Sequence, residues 1–115
     1  MIKTITLAHK KPGMTDAEFY DHWKNVHGPL AAKMIPGVRR YVQNHILTGQ
    51  AHVGADGIVE MWYDDLESFK KSMAFLGSPA ANELKLDGPK FCVMQPGGDW
   101  ICEEHVIKDE ITKKK

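Results

Sequence analysis

The stretch from Thr15 to Tyr41 constrains the fold more than any other part of the chain, because it carries the start and the buried face of one helix. Thr15 and Glu18 have the spacing of a capping box, in which each side chain bonds the backbone amide of the other residue. Large apolar residues then recur at intervals of four, three and four, as on one helix face: Phe19, Trp23, Val26 and Leu30. The stretch therefore predicts an amphipathic helix that begins next to Thr15.

His27 lies where this helix is expected to break. It stands four residues after Trp23, above that ring, and is followed by Gly28 and Pro29. Because proline lacks the amide that a helix interior needs, we expect an interruption here and a short further turn as far as Met34. A neutral imidazole in such a gap can act as a general base or a general acid. The alternative is a histidine that closes the helix by bonding a backbone carbonyl.

The rest of the chain alternates between strand patterns and helix patterns. The predicted strands are 2–8, 38–47, 57–63 and 100–108, with a polar connector over 48–56. A second helix begins near Asp64 and Asp65, either of which can cap it, and ends at Gly77, and a short helix follows from 79 to about 86. The order matches a ferredoxin-like βαββαβ sandwich, an α+β fold with a four-stranded antiparallel sheet and both helices on one face. A length of 115 residues fits one domain over 1–115.

The predicted sheet has more apolar surface than its own helices can cover. Alternate residues of the strands point to opposite faces, and both faces carry apolar side chains: Ile5, Leu7, Val59 and Met61. Two helices cover one face of a sheet. We therefore expect a homodimer in which the sheet of a second copy covers the other face.

Tyr41 and His45 lie on the same face of the second predicted strand. A tyrosine there can donate its hydroxyl hydrogen to an oxygen that becomes negatively charged, or it can be a half-buried tyrosine with a hydrated hydroxyl. We expect Tyr41 and His27 to face one gap, and His45 to line the same cleft or its far rim. Gln43 and Asn44 are weaker candidates.

Four further residues are candidates for binding a substrate: Phe19, Trp23, Glu60 and Trp62. The three aromatic side chains can line an apolar pocket or form ordinary core. Glu60 lies within an apolar strand, so its carboxylate is expected to pair with an arginine or a histidine, or else to have a raised pKa that suits chemistry.

No motif in the sequence indicates a metal or an organic cofactor, and we expect neither. No histidine pair has the spacing of a zincin helix, and His22 and His27, five apart, are expected to diverge around the helix. The phosphate-binding loop, the dinucleotide fingerprint and the serine elbow are all missing from the sequence. Cys92 and Cys102 do not make a disulfide framework.

Charge and hydropathy indicate which partners to expect. Fifteen basic residues balance fifteen acidic ones, which gives no attraction to nucleic acid or to an anionic membrane. The sequence contains no apolar run that could span a bilayer and no secretory signal. We therefore expect a cytoplasmic protein that binds neither nucleic acid nor membrane.

Several runs, taken in order, resemble the EthD family of small proteins. They are 11–14, Phe19, Trp23, 27–29, 36–37, 41–44, 56–57, 60–63 and 103–107. The resemblance implies a dimeric α+β barrel with a ligand cleft between each sheet and its own helices. The wider superfamily includes cofactor-free monooxygenases, polyketide cyclases and dehydratases, and a methylmuconolactone isomerase. EthD itself is associated with ether-degrading oxidation, where it looks like an auxiliary protein.

Residues and resemblance together lead to one leading hypothesis. The chain would be a cofactor-independent catabolic enzyme, an oxidoreductase or a lyase or isomerase, acting on a small apolar organic molecule. His27 would move a proton and Tyr41 would polarise an oxygen. The alternatives are a non-catalytic ligand-binding or auxiliary protein for a neighbouring oxidase, and a structural dimer in which these residues merely pack.

Overall fold

The strands form one antiparallel sheet. The structure, a computed structural model, describes residues 1–47, 55–93 and 99–111, so the predicted connector lies largely outside the described residues. The strands are β1 (Ile2–Lys10), β2 (Arg40–His45), β3 (Gly57–Tyr63), β4 (Cys92–Val93) and β5 (Asp99–Glu103). Their order is β2-β3-β1, with β4 and β5 both paired to the other edge of β1. This is the strand order of a ferredoxin-like sandwich, with the last strand in two pieces, and it confirms the predicted fold.

The last strand ends earlier than the sequence indicates. Pairing between β1 and β5 stops at Ile2 opposite Glu103, where β1 itself begins. Residues beyond 103 have no further strand to pair with, so the predicted extension to 108 is wrong. The exposed Val106 and Ile107 belong to this tail.

The helices pack against one face of the sheet. They are α1 (Asp16–His22), α2 (Gly28–Met34), α3 (Leu66–Leu76) and α4 (Asn82–Asp87). The predicted capping box starts α1: Thr15 N–H donates to Glu18 Oε1 at 2.8 Å, and Glu18 N–H donates to Thr15 Oγ1 at 3.1 Å. Asp65 caps α3 by accepting from the Ser68 amide at 2.8 Å. None of the helices in the described ranges is long and apolar enough to cross a bilayer.

The first helix does not break at Gly28. A π-helical turn over Trp23–His27 joins α1 to α2, and the Gly28 amide donates to the Trp23 carbonyl, five residues back. Pro29 has no amide to donate, and the wider turn accommodates it without ending the helix. The extra residue also shifts the buried face, which leaves Val26 46% exposed. The predictions of a break and of a buried Val26 are therefore wrong.

Two groups of buried residues lie between the helices and the sheet. The aromatic cluster consists of Phe19, Trp23, Val59 and Phe91. The aliphatic cluster consists of Ala31, Ile35 and Leu84. Tyr41 and Met61 pack against both clusters, so they mark the boundary between them.

The opposite face of the sheet, here called the open face, carries both apolar and charged residues. One row across four strands consists of Val42, Glu60, Ile5 and Trp100. The described helical residues of both clusters pack on the other side, against Val59 and Met61. The open face is therefore the surface for which the sequence predicts a second copy.

Candidate functional site

A cavity of about 460 Å³ lies between the helices and the sheet, at the boundary of the aromatic and aliphatic clusters. A volume of this size suits a small organic molecule. Most of its described lining is apolar, including Trp23, Ile35, Met61, Leu84 and Phe91. The titratable lining residues in the described ranges are His27, Tyr41, Lys85 and Cys92.

His27 reaches the cavity from the π-helical turn, and Asp87 fixes its orientation. Its Nδ1 lies 2.9 Å from Oδ2 of Asp87, whose side chain is 7% exposed. The ring also packs against Phe91, with ring centroids 4.9 Å apart. Because an ionised carboxylate can only accept, Nδ1 carries the hydrogen and Nε2 is the nitrogen left for a ligand.

The pKa values of His27 and Asp87 are both lowered from their ordinary values. Burial lowers the pKa of His27 and outweighs the Asp87 carboxylate, which acts to raise it. For Asp87, burial acts to raise the pKa, but the hydrogen bonds from His22 and His27 outweigh burial and lower it. An ionised Asp87 beside a neutral His27 is therefore the resting state near neutral pH, and a neutral imidazole can accept a proton.

His22 binds the same carboxylate. Its Nε2 lies 3.0 Å from both oxygens of Asp87, and its ring stacks on Phe91 at 4.9 Å. The prediction that His22 and His27 diverge is wrong, because a π-helical turn joins residues five apart and so aligns them. In the described residues, no group of three or more His, Cys, Asp or Glu side chains is arranged to hold a metal ion.

Tyr41 lines the cavity from β2, and Gln43 supports it. Gln43 Nε2 donates to the Tyr41 hydroxyl at 3.3 Å and to the Trp23 carbonyl at 2.8 Å. Burial raises the pKa of Tyr41, so its hydroxyl keeps its hydrogen at neutral pH. With its oxygen accepting from Gln43, the hydroxyl is free to donate to a ligand.

His45 lies behind the wall of the cavity. Its ring stacks on Trp23 at 4.9 Å and on Tyr20 at 4.6 Å, and its Nε2 lies 2.9 Å from Gln43 Oε1. It is not among the described residues that line the cavity. Neither expected position is confirmed, and His45 instead supports Trp23 and Gln43.

Three of the predicted substrate-binding residues do not line the cavity. Phe19 is fully buried in the aromatic cluster. Glu60 and Trp62 belong to the open face: Glu60 is paired with Lys3 at 3.1 Å, and Trp62 Nε1 donates to Glu104 at 2.8 Å. Alternation along β3 places them opposite Val59 and Met61, so their predicted position in the cleft is wrong.

Glu60 is a paired carboxylate. Burial acts to raise its pKa, but hydrogen bonds from Asn44 and Lys3 outweigh burial, and the pKa is lowered. The predicted alternative of a raised pKa is therefore wrong, and the partner is a lysine. Trp62 lies beneath the cations of Lys3 and Arg40, at 5.1 and 4.6 Å from the ring.

Sequence reasoning missed the importance of Asp87, His22 and Gln43. Asp87 precedes Gly88 and Pro89, a pattern typical of an exposed turn, yet the residue is 6% exposed. A polar face on the second predicted strand was the signal for Gln43. No comparable signal marked His22, because its position depends on the π-helical turn.

Comparison with known proteins gives a family and a fold. The model of the EthD domain family matches residues 11–94. An EthD-like protein from Ralstonia eutropha JMP134 has a solved structure that is 20% identical, with a TM-score of 0.65, covering 93% of this chain and 94% of that one. No curated protein matches the sequence.

Two further solved structures share the fold. One is a dimeric protein with a ferredoxin-like fold from Bacteroides fragilis NCTC 9343, 10% identical, with a TM-score of 0.54 over 88% of this chain and 91% of that one. The other is a mutant of SnoaB, a cofactor-independent oxygenase from Streptomyces nogalater, 14% identical, with a TM-score of 0.54 over 94% and 97%. At these identities the likeness shows the fold alone.

Proposed function

The chain belongs to the EthD family, and from that premise we propose that it is a cofactor-independent enzyme that moves a proton on a small, largely apolar organic molecule. The observation that carries the proposal is the contact between His27 and Asp87 at the wall of an apolar cavity. A buried carboxylate that holds one imidazole nitrogen leaves the other as a base of defined orientation. Tyr41 lines the same cavity.

The proposed reaction begins when Nε2 of His27 takes a proton from a carbon or oxygen acid of the substrate. The imidazolium that forms is stabilised by Asp87, which stays ionised. Tyr41 donates a hydrogen bond to the substrate oxygen on which the negative charge develops. His27 then returns the proton at another atom, which completes an isomerisation, or to a leaving group, which completes an elimination.

Oxidation is the second outcome open to the same first step. Removing a proton from an electron-rich substrate gives an anion that can transfer electrons to molecular oxygen without a protein cofactor. The likeness in fold to a cofactor-independent oxygenase supports this outcome. Catabolism as the wider role and the cytoplasm as the location remain predictions from the sequence.

A non-catalytic protein that binds a ligand, or assists a neighbouring oxidase, is the second candidate function. The apolar cavity alone would serve that purpose.

We also propose that the chain forms a homodimer through the open face, which the dimeric relative from Bacteroides fragilis supports.

A two-step screen tests the proposal. A panel of small aromatic and aliphatic carbonyl compounds is first screened for an increase in melting temperature, and proton NMR then follows each bound compound over time. We expect at least one bound compound to be converted by the wild type, and much more slowly by His27→Asn and Tyr41→Phe. Binding without conversion of any compound would favour the second candidate function.

A further inference from the structure

We infer that His22 is a positioning residue of this site, which holds Asp87 in place for His27 and adjusts how readily His27 accepts a proton. The three side chains would then act as one unit. The inference rests on the proposed function, because it assumes that His27 is the base. It goes further by giving a role to a second histidine that does not line the cavity in the described residues.

The geometry ties the three side chains closely together. Asp87 ends α4, and its two oxygens meet His22 and His27 at 2.9–3.0 Å. Both imidazoles also lie 4.9 Å from Phe91, so the aromatic ring limits the movement of either one. His22 Nε2 contacts both oxygens and His27 Nδ1 contacts Oδ2, so a rotation that moves Oδ2 away from His27 also disturbs its contact with His22.

Charge couples the two histidines. Each imidazole gains a positive charge on protonation, and one carboxylate can neutralise one such charge. A second proton must therefore enter a half-buried group that is already neutral overall, and each imidazole opposes the protonation of the other. The pKa of His27 is lowered, as this argument requires: burial lowers it most, and the charge of His22 acts in the same direction.

In its described part, Cys92–Val93, strand β4 adds no competing charge near His27. Phe91 is uncharged. The Cys92 thiol stays protonated because burial raises its pKa to about 11, and the negative charge of Asp87 acts in the same direction. Among the described groups on the π-helical turn, α1 and α4, His22 and Asp87 affect the pKa of His27, and Lys85 of α4 lines the same cavity. A purely structural His22 would tie α1 to α4 and leave the titration of His27 unchanged.

The test is an NMR titration of the histidine side chains in the intact chain, without any substrate. It compares the wild type with His22→Gln, which keeps an N–H donor near the position of Nε2 but carries no charge, and with His22→Leu, which keeps neither. His105→Gln is the control, since the side chain of His105 is 72% exposed and lies on the tail. Circular dichroism shows whether each variant is folded.

We expect the titration curve of His27 in the wild type to show two steps. In His22→Gln, His27 should titrate in one step with a raised pKa, and its Nδ1 should keep the nitrogen shift of a hydrogen-bonded donor. In His22→Leu that Nδ1 signal should change, because Asp87 is held on one side only. His105→Gln should match the wild type.

The same titration curve for His27 in the wild type and in His22→Gln would overturn the inference. If both variants fail to fold, a one-step titration of His27 in the wild type would overturn it instead. Failure of the proposed function looks different. Coupled histidines in a protein that converts no ligand would contradict the proposed function and leave the coupling intact.

Discussion

At the residue scale, the buried carboxylate of Asp87 decides which nitrogen of His27 carries the hydrogen and which can accept a proton. An asparagine in its place can donate its amide hydrogen to Nδ1, and the imidazole would then carry its hydrogen on Nε2 and lose the ability to accept a proton there. We expect Asp87→Asn to lower kcat by about 10²–10⁴-fold on any compound that the wild type converts.

The matched control for this substitution is Asp21→Asn, because Asp21 is exposed and bonds Asn25 on its own helix. That variant should keep wild-type rates, as measured by initial velocities at neutral pH. A loss of activity in Asp87→Asn no greater than in the control would mean that Asp87 is purely structural.

The lowered pKa of His27 also predicts how stability varies with pH. In the unfolded chain an imidazole binds its proton below about pH 6.5, whereas burial keeps His27 neutral to lower pH in the folded protein. The unfolded state therefore binds more protons, and the melting temperature should fall as the pH drops below about 6.5. His45, whose pKa is also lowered by burial, should add to the same trend.

The measurement is the melting temperature between about pH 7 and pH 5, for the wild type and for His27→Asn. Asparagine can still donate to Asp87 from near the Nδ1 position, so the variant should fold and lose part of this pH dependence. An unchanged slope would show that His27 binds protons equally in both states. Because the pKa of Asp87 is lowered in the folded protein, protonation of its carboxylate should reduce stability further below about pH 4.

Part of the site could be predicted from the sequence at this scale. His27 and Tyr41 were identified because their residue types and local pattern suit proton transfer, and the structure brings both to one cavity. Asp87 lies 60 residues from His27 along the chain, and its partners are set by the tertiary fold. No local pattern contains that information.

At the element scale, the helix from Asp16 to Met34 shows how one local change alters a whole face. Its start was predictable, since the capping box depends on residues three apart. The π-helical turn was not predictable, because a residue outside the helix helps to stabilise it. The Trp23 carbonyl accepts a hydrogen bond from Gln43 on β2 as well as from the Gly28 amide. The turn exposes Val26 and aligns His22 with His27.

Close packing between this helix and β3 leads to a prediction at Gly57. A methyl group there would lie 2.5–2.6 Å from the Trp23 ring and 3.0 Å from the Asn44 carbonyl. Neither can move freely, because Trp23 is 2% exposed and stacks on His45. Gly57→Ala should therefore lower the free energy of unfolding by about 1–3 kcal/mol, as measured by urea denaturation.

Gly77→Ala is the control for this substitution. Its added methyl group would meet neighbours at 3.7 Å or more, which is ordinary contact. Its effect should stay within about 0.5 kcal/mol, as for most surface changes. Equal effects of the two substitutions would mean that Trp23 is not held tightly against β3.

At the scale of the whole molecule, the order of strands and helices was predictable, since each element has its own periodicity and the turns between them are short. It was not predictable which face of β3 meets the helices, and for this reason Glu60 and Trp62 were predicted in the cleft. Both faces of β3 carry large apolar side chains, Ile58 and Trp62 on one and Val59 and Met61 on the other, so an apolar content alone does not distinguish them.

The open face leads to a prediction about assembly. Ile5 and Val42 flank Glu60 there, in a row that no helix of the described residues supplies with packing partners. Light scattering at micromolar concentration should give twice the chain mass of 13.0 kDa. Ile5→Asp should shift the protein towards the monomer, because it places a charge in the apolar part of the interface.

Val26→Asp is the control, because Val26 is exposed on the helical side of the molecule. It should leave the measured mass unchanged. A monomeric wild type, or a dimer that Ile5→Asp does not weaken while it stays folded, would contradict an interface at the open face.

The rate of deuterium exchange tests the central claim, that His27 is a base in the cavity, most directly. A bound carbonyl compound with acidic C–H bonds is incubated in D₂O, and NMR follows the loss of its proton signal with wild type and with His27→Asn. We predict that the wild type accelerates the exchange and that His27→Asn, still folded and still binding the compound, is about 10²–10⁴-fold slower. Equal exchange rates for the two proteins would contradict the claim.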